Sequence, residues 1–129
     1  MRVLLVDDDP RFRALLRHHL TCTWPEAQID SYDPVARGPL PPGFLAQAYD
    51  VVLLDPAWPG GGDGFAWLAD FGTRAGFAPV IFIAPDDTPA VAEAARRAGA
   101  SAVVSAHKID HERLTEAVRA AGQRQSAAR

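Results

Sequence analysis

The stretch VVLLDPAWPGGGDG, residues 51–64, decides the fold. Four apolar residues run straight into one carboxylate, Asp55. A short continuous apolar run bounded by turn signals is the pattern of a strand buried on both faces. Behind Asp55 come two prolines and four glycines, broken by Trp58 and Asp63. Neither a helix nor a strand ladder continues easily through such a segment. The strand therefore ends by presenting a lone aspartate on a glycine-rich rim.

Three further runs share the pattern: RVLLV (2–6), VIFIA (80–84) and SAVV (101–104). AQIDSY (27–32) is more polar and suits a sheet edge. Helical signals lie between them. Asp9-Pro10 reads as an N-cap followed by proline at the first helical position, and Phe12, Leu15, Leu16, His19 and Leu20 follow at helical spacing. Asp63 is placed to cap a helix carrying Phe65, Leu68 and Phe71. Thr88-Pro89 starts another, with Val91, Ala94, Ala95 and Ala98 on one side and Gly99 ending it. Asp110 caps the last helix. Ile109 and Leu114 are spaced for a hydrophobic staple, and Leu114, Ala117, Val118 and Ala121 make the buried stripe. DPVARGPLPPGFLAQAYD (33–50) holds four prolines and two glycines, which predicts a loop through Pro41 and a short helix around Gly43 to Ala48.

Strand and helix thus alternate five times. The prediction is an α/β, doubly wound, five-stranded parallel sheet with helices on both faces and right-handed crossovers. One domain covers residues 1–121, and the polar segment 122–129 reads as a frayed tail.

Bulk properties narrow the function. The chain has 129 residues, 48% hydrophobic and 22% charged, with a formal net charge of −3. No basic field favours nucleic acid or an anionic membrane. Cys22 is the only cysteine, which excludes an internal disulfide and a zinc site built of thiolates. Met1 leads directly into Arg2 and the first strand without a secretory pattern, and no apolar run approaches a bilayer span. A cytoplasmic protein is the expectation.

In sheets of this class the functional crevice lies beyond the carboxyl ends of the strands. Asp55 ends the third strand and Asp7 and Asp8 end the first, so all three are expected at one edge. Like charges at close range need a cation or raised pKa values. Hard oxygen ligands suit Mg²⁺, which takes one or two carboxylates and keeps several waters. A carboxylate beside a metal can also attack phosphorus. Asp9 is assigned to the helix cap, where the dipole favours negative charge.

VLLVDDDPRFRALL, DVVLLDPAWPGGGDGFAWL, PVIFIAPDD and AARRAGASAVV together resemble the receiver domain of two-component response regulators, of the single-domain, chemotaxis-regulator-like kind. The resemblance spans residues 2 to about 121. It implies a flavodoxin-like receiver fold. It further implies that Asp55 accepts a phosphoryl group, that Asp8 ligates Mg²⁺ directly, and that Asp7 does so through water or tunes the site. The backbone carbonyl of Ala57 would be a further ligand, and Pro59 and Gly60 would shape the loop. A sensor histidine kinase or a phosphotransfer protein would be the donor, and a downstream protein the target.

The chain departs from that family pattern in four places. Ala84 stands where the family has Thr or Ser, and Ala106 where it has Lys, with His107 in place of the following proline. Val103 replaces the aromatic switch residue, and PGGGDG is one residue longer than the usual loop. Lys108 and His107 are the nearby substitutes for the missing ammonium.

Other motifs carry less. His18 and His19 read as one solvent-facing and one core-facing residue. Trp24, Trp58 and Trp67 read as packing residues, with Trp58 at the rim of the site. GGGDG lacks the spacing of a dinucleotide fingerprint, and no G-K-[ST] phosphate loop exists.

The leading expectation is a signalling receiver, not a turnover enzyme, atypical in rate and switching. The alternative is a phosphorylation-independent pseudo-receiver acting as a protein-interaction module. A phosphatase of the haloacid dehalogenase type is discounted because it wants a second Asp where Ala57 stands. A weak homodimer is expected through the 91–118 face, where Arg96, Arg97, Lys108, His111, Glu112, Arg113 and Glu116 mix both signs of charge.

Overall fold

The computed structural model describes residues 1–41, 44, 48–57, 64–73, 78–84, 88–107 and 109–128. The strands are β1 (Arg2–Val6), β2 (Gln28–Tyr32), β3 (Val51–Leu54), β4 (Val80–Ala84) and β5 (Ala102–Ser105). The helices are α1 (Pro10–Thr23), α2 (Pro34–Arg37), α3 (Phe65–Thr73), α4 (Pro89–Arg97) and α5 (His111–Ala128). All strand pairs are parallel, in the order β2-β1-β3-β4-β5. The polar strand therefore lies at an edge, as its composition predicts. The fifth strand sits one residue later than SAVV suggests.

Alternation along the strands divides the core. Leu4, Val6, Val52, Leu54, Val80 and Phe82 face one side, where Leu68 and Phe71 of α3 and Ala95 of α4 pack on them. Val3, Leu5, Val51, Leu53, Ile81 and Ile83 face the other, under Leu16 and Leu20 of α1 and Leu114, Val118 and Ala121 of α5. β1, β3 and β4 need apolar residues at nearly every position because both of their faces are covered. Each fully buried Leu or Ile contributes roughly 1.5–3 kcal/mol.

The caps follow the sequence signals. Asp9 accepts from the Arg11 amide, Thr88 from that of Val91, and Asp110 from those of Glu112 and Arg113. Gly99, at φ 116°, follows α4. Asp63, the expected cap of α3, lies outside the described residues.

Two expectations are corrected. A helical turn forms at Pro34–Arg37, ahead of the place where the proline count predicts one. Asp33 accepts from the amides of Val35 and Ala36, and Pro34 takes the first helical position, where its missing N–H costs nothing. This is the Asp-Pro signature of α1 repeated. Gly38, at φ 74°, ends the turn. Of the helix expected around Gly43 to Ala48, residues 43 and 45–47 lie outside the described residues. The second correction concerns the segment 122–129: α5 continues through Ala128.

No described helix is long and apolar enough to cross a membrane.

Candidate functional site

The register of β1 and β3 builds the site. Val6 pairs with Leu54, and the ladder runs on past both strands. The Asp55 amide donates to the Val6 carbonyl at 3.0 Å, and the Asp7 amide to the Tyr32 carbonyl at 3.1 Å. Asp7 and Asp55 are thereby fixed on adjacent strand ends. Both are buried, at 2% and 6% exposure, and Asp8 is half-buried beside them.

Each buried carboxylate is oriented by one backbone donor. Asp7 Oδ1 accepts from the Asp9 amide at 2.9 Å, and Asp55 Oδ1 from the Ala57 amide at 3.1 Å. Asp7 Oδ2 is buried and has no hydrogen-bond partner. The electrostatics follow from this geometry. Burial, and then the charges of Asp55, Asp8 and Asp9, push the Asp7 carboxyl up to about 7, against the opposing pull of the Asp9 amide. Burial also raises Asp55, with Asp8 and Asp9 adding to it and the Ala57 amide opposing.

The three acids expected to converge do interact electrostatically. Yet among the described residues no group of three or more His, Cys, Asp or Glu is arranged to hold a metal ion by itself. A closed carboxylate cage is absent from that set. The orphaned Asp7 Oδ2 and the raised carboxyls mark where positive charge is lacking.

Two parts of the site were not evident in the sequence. Arg13, one turn into α1, donates from its guanidinium to the Asp7 carbonyl at 3.1 Å. Gly64, at φ 82°, lies against the residue next to Asp55. A Cβ there would stand 2.5 Å from Pro56 Cβ and 2.9 Å from the Phe82 ring. Only glycine tolerates both the backbone angle and the approach. Pro56 is thus wedged between Gly64 and the strand end that carries Asp55. Of the loop calls, Trp58, Pro59 and Gly60 lie outside the described residues.

The solved structures that resemble this arrangement are signal receivers. The signal receiver domain of the response regulator NarL from Mycobacterium tuberculosis superposes with a TM-score of 0.71 at 24% identity, over 95% of each chain. The CheY-like receiver domain protein from Methanospirillum hungatei JF-1 gives 0.74 at 19% identity, over 99% of this chain and 98% of that one. The chain has the fold of a response-regulator receiver domain. The response regulator ChrA of a heme-sensing two-component system matches at 29% identity and a TM-score of 0.68, and the chain spans 56% of its length. No protein-family model matches this chain, and no curated protein does.

On this receiver fold the departures fall on the other half of the crevice. Ala84 ends β4, buried, and pairs with Ser105. The Ala106 amide donates to the Ala84 carbonyl at 2.9 Å. The two alanines are therefore neighbours across the strand ends, as the pattern count expects. Val103 is half-buried opposite Phe82. An open groove of about 640 Å³ runs beside it, with Ser105, Asp110, Arg113 and Glu116 among its walls. His107 is exposed; Lys108 and Pro85 lie outside the described residues.

One member of the expected partner face turns away from it. His111 lies against α1, with its Nδ1 2.9 Å from that of His19. Arg97 pairs within its own helix with Glu93 at 2.7 Å.

Proposed function

We propose that this protein is a two-component signalling receiver that accepts a phosphoryl group on Asp55, slowly and with an attenuated structural response. The observation that carries the reading is the buried Asp55 beside Asp7. Ala57 holds one oxygen of Asp55, and Asp7 Oδ2 lacks any partner.

Asp8, Asp55 and the Ala57 carbonyl would hold Mg²⁺, with Asp7 acting through water. Bound there, the ion would neutralise charge on the transferring phosphoryl oxygens. The chain's own part is positional. The Ala57 amide fixes Oδ1 and leaves Oδ2 of Asp55 to attack phosphorus in line. The new bond is Oδ2–P; the donor's N–P or O–P bond breaks, and its electron pair leaves with the donor. No turnover of a separate substrate is needed, so the protein acts as a switch and not as an enzyme.

The donor is a sensor histidine kinase, a phosphotransfer protein or a small phosphodonor, and the output is a downstream protein. The expected setting is the cytoplasm. A weak homodimer through the 91–118 face is part of this reading, with Arg96, Glu112, Arg113 and Glu116 among its charged members. Exposed ion pairs contribute little each, so such a dimer would be salt-sensitive.

The second reading, a pseudo-receiver that works without phosphate, is favoured by Ala84 and Ala106. Two donors to the developing phosphoryl charge are missing, and one well-placed donor is worth roughly 3–4 kcal/mol in a preorganised site. Mass spectrometry after incubation with acetyl phosphate and Mg²⁺ separates the readings. The first expects an added phosphoryl group that is lost in Asp55→Asn. No adduct under forcing conditions leaves the second.

A further inference from the structure

α1 and α5 lie side by side on one face of the sheet, joined by Leu16, Leu20, Leu114 and Val118. Beside this apolar seam sits a polar cluster that the phosphoacceptor chemistry does not use. His19 of α1 and His111, the first residue of α5, approach with Nδ1 atoms 2.9 Å apart. Their ring centroids are 5.1 Å apart. Thr23 Oγ1 stands 3.3 Å from His111 Nε2.

An imidazole nitrogen either carries a proton and donates or lacks one and accepts. A contact of 2.9 Å therefore requires one Nδ1 with a proton and one without. If both rings are charged, two N–H groups point at one another and the bond cannot exist. Thr23 suits either neutral tautomer of His111, because a hydroxyl can donate or accept. We propose that the His19–His111 pair is a proton-sensitive clasp between α1 and the first turn of α5, closed while one of the two rings is neutral and opened when both are charged.

The surroundings support this assignment. Burial first, then the charge of His111, then that of His18, hold His19 below its ordinary value of 6.5. No carboxylate of a described residue is among the groups acting on it. The other polar groups near the pair are committed or neutral. Thr115 donates to the His111 carbonyl at 2.8 Å, and the Asp110 carboxylate is taken by the amides of Glu112 and Arg113. Arg119 lies over the Trp24 ring, 5.7 Å from its centroid. The Asp110 carboxylate, next in sequence to His111, keeps its negative charge but is not among the groups acting on His19.

The direction of the effect follows. His19 binds its proton less tightly in the fold than in the unfolded chain, so the clasp is intact above about pH 6.5. It weakens as pH falls through and below that value. His111 starts α5 directly after the connection that leaves the crevice edge at Ala106. Opening the clasp would free the start of α5.

An NMR titration of the full chain from pH 8 to 5 tests this, following the imidazole and backbone amide signals together. The expected result is a His19 midpoint below 6.5 that rises in His111→Gln, where the like charge is gone. The amides of residues 111–115 should follow the His19 midpoint in the unaltered protein and lose that inflection in both His19→Gln and His111→Gln. A His19 midpoint unchanged in His111→Gln, or amides at 111–115 blind to it, overturns the proposal. Should the variants fail to fold, the unaltered protein decides by itself: two independent imidazole curves at the ordinary value would also overturn it.

Discussion

The two halves of the crevice are built on opposite principles. β1 and β3 end in Asp7 and Asp55, both buried and held by backbone amides. β4 ends at Ala84, and Ala106 follows β5; neither side chain carries a polar atom. One half concentrates negative charge, and the described part of the other supplies none of the cation that would balance it. Burial first, and then the charges of Asp55, Asp8 and Asp9, lift the Asp7 carboxyl to about 7. On the proposed reading, the retained acids would hold a divalent ion, and the two alanines would leave a transferring phosphoryl group without two donors.

Restoring the empty half should have the largest effect. The double change Ala84→Thr with Ala106→Lys is expected to speed acyl-phosphate formation on Asp55 by on the order of 10²-fold or more, from the two recovered donors. A mass-spectrometric time course with acetyl phosphate measures this. An unchanged rate would mean that the two halves do not cooperate.

The filled half should resist change at its wedge. Gly64→Ala forces a Cβ into Pro56 and Phe82 at a left-handed backbone angle. The expected loss is roughly 2–4 kcal/mol, combining backbone strain and overpacking. Urea denaturation reads it, and a near-neutral result would show that the rim is not anchored on Gly64.

Charge imbalance should next appear as a pH slope. The Asp7 carboxyl titrates near 3.8 when unfolded and about 7 in the fold, so the folded state holds that proton more tightly. In the metal-free protein this contribution to stability falls as pH rises between those values and is flat above. Asp7→Asn keeps the acceptor for the Asp9 amide and removes the charge. It should be more stable than the unaltered protein by roughly 1–3 kcal/mol at pH 7.5, with the gap closing towards pH 4. Melting curves at both values decide, and a variant destabilised at pH 7.5 contradicts the account.

A smaller effect is expected from Mg²⁺. At about ten times its Kd it should stabilise the fold by about 1.4 kcal/mol, and Asp8→Ala should remove the gain. A melting temperature indifferent to Mg²⁺ would break the claim that the acidic half lacks only a cation. The smallest response is the one beyond the crevice. With beryllofluoride, amide shifts should stay near residues 7–8 and 55–57, because Ala84 and Val103 offer no differential contact to the phosphate. Broad shifts across 91–118 would show that another residue carries the relay.

Much of this was legible in the chain. Apolar runs flanked by turn signals located the strands to within a residue, because a strand covered on both faces tolerates little polarity. Asp9-Pro10, Thr88-Pro89 and Asp110 marked helix starts, because capping is local chemistry between a side chain and amides two or three residues ahead. The resemblance also put Ala84 and Ala106 at the family's Thr/Ser and Lys positions. Asp33-Pro34 carries the same signature ahead of the helical turn at Pro34, but the prolines downstream read as breakers of the whole segment.

What the chain could not disclose depends on contacts between residues far apart in sequence. Asp55 is identifiable as a strand-end acid, but the orphaned oxygen of Asp7 exists only once the ladder sets β1 against β3. Gly64 is one glycine of four until Pro56 and Phe82 close on it. His111 reads as a surface residue of the last helix, and only the packing of α5 against α1 turns it onto His19. Periodicity and capping are written along the chain because they act over a few residues. Burial, desolvation and paired charges are set by which elements meet, and that is decided by the folded core.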